Sequence, residues 1–378
     1  MLPRSRTEKL TIIDWNLSSA FSHNWDLFES LGLADPTLTA FVNRCLPEME
    51  PTFEARLHRI YSRDGYQRTS GVMAYPVHLV RSLCHLFSNT PRLCSGVYFL
   101  QDCGVSSIPA YWLLAVRNPG ANFLFYFHTI ESRKLLRIGA LMGLWKRQNA
   151  TLASLNPRIA QQVSSLTGQE VHHLPLAKSH KRTAIQTDVA EAAQPFHIVI
   201  PGFYRADKCM ATVGSELVSF LEKDSTPGCI VSAGVQYWEK LGNREDFKAL
   251  AVKHQFVSHG ELNRDEFVRS LERASLIVLP YLKEAYRDRI SAIAEDALAL
   301  GKPFVITEGT LSALTYEHLG SCLTFPGEGE GELTKVLCKA LTSLALLEKD
   351  ATEFAAEYVE RYRPSRILEQ LLSITARS

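Results

Sequence analysis

No run of about 18 consecutive apolar residues occurs in this chain, so no segment reads as a membrane-spanning helix. The first ten residues, MLPRSRTEKL, are polar and basic and lack the apolar stretch of a secretory signal, which predicts a cytoplasmic protein. An excess of one charge is missing as well. The 41 Lys and Arg nearly cancel the 40 Asp and Glu, and a formal charge of +1 gives no overall attraction to nucleic acid. None of the eight cysteines forms a CxxC pair, and several sit in apolar runs, the pattern of buried thiols in a reducing compartment. Ligand spacing for a metal is absent, so neither metal nor cofactor is expected. Repeats are absent too, and the one low-complexity stretch, GEGEGE at 327–332, reads as a solvated loop.

What is present is length and alternation. At 378 residues the chain can form two domains, and 46% hydrophobic with 21% charged residues suits a soluble globular protein. In the first half, apolar runs at 10–14, 96–102, 122–128, 151–156 and 170–176 read as strands, with helices near 109–116, from 133 to 146 and after Pro157. A second series of strands follows at 196–202, 229–234, 255–260, 276–280, 303–308 and 322–326. Strand–helix alternation of this kind predicts an α/β fold with parallel sheets. Residues 178–194 carry no core pattern and read as a linker between an N-terminal domain, 1–177, and a C-terminal domain, 195–359. The tail, 353–375, is helical and interrupted at Pro364.

Chemistry concentrates in the second half. From Leu276 to Glu308 the chain reads as strand, polar loop, helix and strand, which puts the loop Tyr281–Arg289 beyond the carboxyl end of a parallel strand, where such sheets bind ligands. Ser291 is placed to cap the helix that follows, whose N-terminus favours an anion such as a phosphate. Asp288 and Asp296 lie eight positions apart, one before that helix and one on it. Upstream, IPGFYRADK ends a strand: Gly202 permits close backbone approach, while Arg205 and Lys208 project from the next loop and together suit a diphosphate. In the first half His128 ends a strand, where an imidazole could hydrogen-bond a substrate hydroxyl. His172 and His173 read as structural. The helix 133–147 mixes Leu, Ile, Met and Trp with Arg133, Lys134, Arg137, Lys146 and Arg147, which fits either a core-packed helix with a basic solvent side or an interfacial membrane face.

The spacing of Asp288 and Asp296, followed by ALALGKPF (297–304), resembles the donor-site element of GT-B glycosyltransferases. The resemblance is to the retaining family 4, or group 1, which includes bacterial mannosyl- and glucosyltransferases. Both acids are Asp where that family usually has Glu, and the glycines of its turn are absent; Tyr286, Arg289 and Ser291 match a Tyr-x-x-Arg-x-Ser variant of the loop. The resemblance implies two Rossmann-like domains facing a central cleft, with the C-terminal helix, 360–378, crossing back onto the first. It implies transfer of a sugar from a nucleoside-diphosphate donor to a hydroxyl of a glycan or lipid-linked acceptor, with retention and without a metal. Arg205 and Lys208 would then neutralise the leaving diphosphate, although Cys209 stands where the family has Gly. Ser291 and the amides after it would hold the same group, Asp296 would meet the ribose, Asp288 would lie nearer the sugar, and Arg289 would bind phosphate or pair with Asp288. His128 would line the reactive centre, and His23 and Asn24 would approach the acceptor. Two other readings stay open: a sugar-nucleotide epimerase on the same fold, and a non-catalytic subunit that supports a partner enzyme.

Overall fold

The computed structural model describes residues 9–14, 23–44, 46, 54, 56–61, 84, 86–101, 103–104, 107–129, 133–177, 195–202, 207–208, 210–223, 226, 228–235, 239, 245–260 and 262–376. The predicted linker, 178–194, and Arg205 lie outside these residues. Contacts divide the chain into two compact units, one formed by 1–179 together with 362–378, the other by 180–361.

In the first unit, described residues form a seven-stranded sheet ordered β3-β2-β1-β4-β5-β6-β7. The strands are β1 (Leu10–Asp14), β2 (Thr39–Asn43), β3 (Leu57–Tyr61), β4 (Val97–Leu100), β5 (Asn122–Phe127), β6 (Ala150–Ser154) and β7 (His172–His173). Every pairing is parallel. The helices are α1 (His23–Ala34), α2 (Ile108–Arg117), α3 (Arg133–Leu141) and α4 (Pro157–Thr167). The interior is aromatic: Phe99 meets Tyr126, Phe125 meets Trp145, and the Tyr126 hydroxyl donates to the Leu174 carbonyl at 2.7 Å.

In the second unit six strands are ordered β10-β9-β8-β11-β12-β13, again all parallel. They are β8 (Phe196–Ile200), β9 (Cys229–Gly234), β10 (Gln255–His259), β11 (Leu276–Leu279), β12 (Phe304–Thr307) and β13 (Cys322–Phe325). Around them run α5 (Met210–Leu221), α6 (Glu245–Leu250), α7 (Arg264–Glu272), α8 (Lys283–Tyr286), α9 (Ala292–Ala299), α10 (Leu311–Tyr316), α11 (Glu332–Thr342) and α12 (Leu344–Arg361). The last helix, α13 (Pro364–Ala376), belongs to the first unit, packing on α1 and β5 and reaching the His173 carbonyl through Gln370 Nε2 at 2.6 Å.

Both sheets are buried on both faces at their centres, so β11 (LIVL) and β12 (FVIT) are fully buried and, but for Thr307, apolar. In each sheet the order reverses direction beside the first strand of the unit, between β1 and β4 and between β8 and β11. Loops leaving the carboxyl ends of such neighbours part to opposite faces and open a crevice.

The α/β fold with parallel sheets agrees with the sequence, while several elements differ from it. The helix expected over 133–146 ends at Leu141, because Gly143 takes a left-handed φ of 66° and a short 3-10 turn, Leu144–Lys146, follows. The run at 170–176 forms a strand only at its two histidines. The expected tail helix begins earlier, at Leu344, and restarts at Pro364, where a proline costs no hydrogen bond. The GEGEGE stretch leaves Glu328 and Glu330 exposed, but its end is tied down. The Glu216 carboxylate on α5, 3% exposed, accepts from the amides of Gly331 and Thr334 at 2.6 and 2.9 Å and so caps α11 from a distance.

Candidate functional site

The carboxyl edge of the second sheet gathers polar side chains at its reversal point. Strand β8 is followed by Pro201 and Gly202, whose φ of 84° suits glycine. A side chain there would also lack room, since a Cβ would stand 2.8 Å from Lys208 Nζ and 3.6 Å from Ile293 Cδ1 in the first turn of α9. The bare backbone, the ammonium and the helix N-terminus are therefore neighbours. Lys208 does not project into solvent as its loop position suggested. It is 9% exposed, because its ammonium turns back to donate to the Pro201 carbonyl at 2.9 Å.

The loop after β8 is sewn to the loop after β11. Lys208 and Tyr281 form an isolated antiparallel bridge, and the Leu282 amide donates to the Asp207 carbonyl at 2.9 Å. From there a chain of side chains leads to α9. Tyr281 and Tyr286 stack 3.8 Å apart and 14° from parallel, and the Tyr281 hydroxyl lies 2.8 Å from Ser291 Oγ. Ser291 is the N-cap of α9, its hydroxyl accepting from the Ala294 amide at 3.2 Å, while its own amide donates to Ser312 Oγ at 2.7 Å. The Arg289 guanidinium sits over the Tyr286 ring at 5.7 Å and 3.8 Å from the Asp207 carboxylate. Asp288, partly exposed, lies 3.8 Å from Arg287. Gly202, Lys208, Tyr286, Arg289 and Ser291 thus belong to one surface.

Asp296 stands apart from that surface. It is 2% exposed, and both of its oxygens accept from Arg264, at 3.1 and 3.3 Å. Arg264 is the first residue of α7, whose capping box joins Asn263 to the Glu266 amide and Glu266 to the Asn263 amide. Sequence reasoning missed Arg264, although the Asn-x-x-Glu signature locates the helix start. It also missed Asp207, and within the loop Tyr281–Arg289 it did not single out Tyr281 or Lys283, the last of which lies across Gly309 beyond the end of β12.

In the first unit His128 follows β5 directly, half-buried, with its ring edge-on to Tyr126 at 4.8 Å. His23 and Asn24 are the first two residues of α1. His173, as expected of a structural residue, faces the Leu155 carbonyl at 3.2 Å through Nε2, and burial holds its pKa below the ordinary value. Among the described residues no three His, Cys, Asp or Glu side chains converge in the manner of a metal site.

A carbonyl-anchored ammonium, a bare glycine and a capped helix start are donors of the kind that hold a phosphate chain. Comparison with known proteins gives the surrounding scaffold a place. No family model matches the chain, and no curated protein matches it. Solved structures do. Sucrose-phosphate synthase from Thermosynechococcus elongatus superposes with a TM-score of 0.69 at 14% identity, covering 98% of this chain and 100% of its own. The Anabaena protein HepE in complex with UDP gives 0.64 at 11% identity, with the same coverage. A glycosyltransferase from Rickettsia africae gives 0.63 at 13%, over 99% and 100%. At such identities the likeness is one of fold.

Proposed function

We propose that this chain, whose fold is that of the GT-B glycosyltransferases, moves a sugar from a nucleoside-diphosphate donor to a hydroxyl acceptor. The observation that carries the reading is the contact of Gly202, Lys208 and the start of α9 at the reversal point of the second sheet. When the bond between sugar and diphosphate breaks, negative charge grows on the leaving oxygen. The Lys208 ammonium, in its desolvated position, opposes that charge, and Arg205 on the same loop would add a second cation. Ser291 fixes the first turn of α9 so that its amides point at the diphosphate. Arg289 reaches the same group by leaving Asp207, a contact loose enough at 3.8 Å to be exchanged.

The ribose contact that the sequence resemblance implies for Asp296 would require Arg264 to give up part of its hold on that buried carboxylate. By the sequence resemblance, roles toward the sugar would fall to His128 and to Asp288. Retention of configuration, independence from metal and a role for His23 and Asn24 toward a glycan or lipid-linked acceptor rest on the sequence resemblance. The complex of HepE with UDP makes UDP the first nucleotide to try. The cytoplasm is where such donors would be met.

Calorimetry and thermal shift with UDP, GDP, ADP, CMP and dTDP test the reading, since a ligand of the native state raises the melting temperature. One diphosphate is expected to bind, and Lys208→Ala to weaken it about ten- to a hundredfold, the loss of one charge-assisted bond. No binding, or undiminished binding in Lys208→Ala, would defeat the donor site. Donor turnover with purified protein separates an enzyme from a supporting subunit, and dependence on acceptor separates transfer from epimerisation.

A further inference from the structure

Helix α3 turns one side to the core and leaves the other bare. Leu136 and Gly139 are buried, and a Cβ on Gly139 would overlap Trp112 and stand 2.6 Å from Trp145 Nε1. The Trp145 indole donates to the Leu136 carbonyl at 3.0 Å, which clamps the helix flat on the aromatic core. Its orientation is therefore fixed. The outer side carries Lys134, Arg137, Ile138 and Leu141 at three- and four-residue spacing, and Met142 follows. Leu141 is 88% exposed, Met142 66% and Ile138 46%.

Cations surround this apolar ridge. Between the ends of α3 and α4 lies an open groove of about 480 Å³ whose lining includes Arg137, Lys146, Leu141, Leu166 and Gly168. The side chains of Lys134, Arg137 and Lys146 have no hydrogen-bond or ion-pair partner among the described residues. The sequence from 132 to 169 contains Arg133, Lys134, Arg137, Lys146, Arg147 and Arg158 and not one Asp or Glu. In a chain whose charges otherwise balance, that is a segregated positive face.

We propose that this face docks on a membrane surface containing anionic phospholipid, with Leu141 and Met142 entering the acyl boundary and Arg137 and Lys146 on lipid phosphates. An exposed apolar ridge has no use for a dissolved anion, but it is what an interfacial helix inserts, and the flanking cations gain from the negative leaflet potential. A second copy of this chain is a poorer occupant, because a two-fold contact would set the same cations against each other. No helix among the described residues is long and apolar enough to cross a membrane, so attachment here is peripheral. The proposal is independent of the donor site, which lies on the other unit.

Flotation of the full-length protein tests it, using vesicles of phosphatidylcholine alone and of phosphatidylcholine mixed with phosphatidylglycerol. Binding is expected to the mixed vesicles only and to fall as salt is raised. Leu141→Glu and the pair Arg137→Glu/Lys146→Glu are expected to lower it roughly tenfold or more. Their circular dichroism, melting temperature and nucleotide affinity should stay at the parent's values, because these side chains are on the surface. The idea fails if the parent protein does not float with anionic vesicles, or if Leu141→Glu floats as well. It fails too if velocity sedimentation finds a dimer that Leu141→Glu splits while neither protein binds lipid.

Discussion

Gly202 and Lys208 constrain each other. The left-handed backbone at Gly202 and the ammonium 2.8 Å from its would-be Cβ mean that Gly202→Ala adds backbone strain and also displaces the cation. The strain should cost about 1–3 kcal/mol, and nucleotide affinity should fall at least as far as in Lys208→Ala. Calorimetry beside chemical denaturation reads both effects. Asp296 and Arg264 form a second interdependent pair. Arg264→Ala leaves a carboxylate that is 2% exposed without its guanidinium and should cost about 3–5 kcal/mol. Arg264→Met with Asp296→Asn should recover part of that loss, and a double-mutant cycle of unfolding free energies would expose a purely additive result. The acids and the capping serine were legible in the sequence because they sit on one continuous stretch. Arg264 was not, since it meets Asp296 across 32 positions, and no spacing rule links two helices separated by a strand.

At the scale of elements, α3 depends on having no side chain at Gly139. Gly139→Ala would drive a methyl into Trp112 and Trp145 and should cost about 1–3 kcal/mol by overpacking, despite alanine's better helix propensity. A lowered denaturation midpoint would show it. A pH effect belongs to β9 and its neighbours. His254 accepts the Cys229 amide at Nδ1 and donates from Nε2 to the Leu221 carbonyl, so it is neutral as packed. Burial, ahead of the effect of nearby Lys253, holds its pKa below the ordinary 6.5, and burial does the same to His197 and His259 in this unit. In each case the unfolded chain takes up a proton first. Stability is then complete above about pH 6.5 and is lost as pH falls from there toward the lowered values. Urea unfolding at about pH 7.5 and 5.5 should show the decline, and His254→Gln should flatten it.

The central strands were legible because burial on both faces makes them uniformly apolar. The edge strand β3 is buried only at its two ends, Leu57 and Tyr61, with exposed or half-buried residues between them, so no apolar run or period stands out, and neither it nor β2 was expected. The overrun of α3 had another cause: apolar periodicity continues through Met142 and Leu144, and only the backbone of Gly143 ends the helix.

At the scale of the molecule, the second unit is continuous in sequence and the first is not. Residues 180–361 made alone are expected to fold and to bind nucleotide as the whole chain does, which calorimetry on the fragment can check. A chain ending at Arg361 should keep that transition and lose the first unit's. Helix α13 buries Ile367, Leu371 and Ile374, each contributing about 1.5–3 kcal/mol, and together these are comparable to the stability of an entire domain. Two calorimetric transitions in the chain ending at Arg361, or none in the fragment 180–361, would contradict this.

The return of α13 to the first unit also sets an order of assembly at the ribosome. The strands of the first unit emerge early, but the helix that covers β5 and α1 is translated only after every residue of the second unit. The N-terminal half of the nascent chain therefore waits with an uncovered apolar surface while its neighbour is free to complete itself. A premature stop just after Arg361 would spare every residue assigned to the donor site and still leave the product a client for chaperones and proteases.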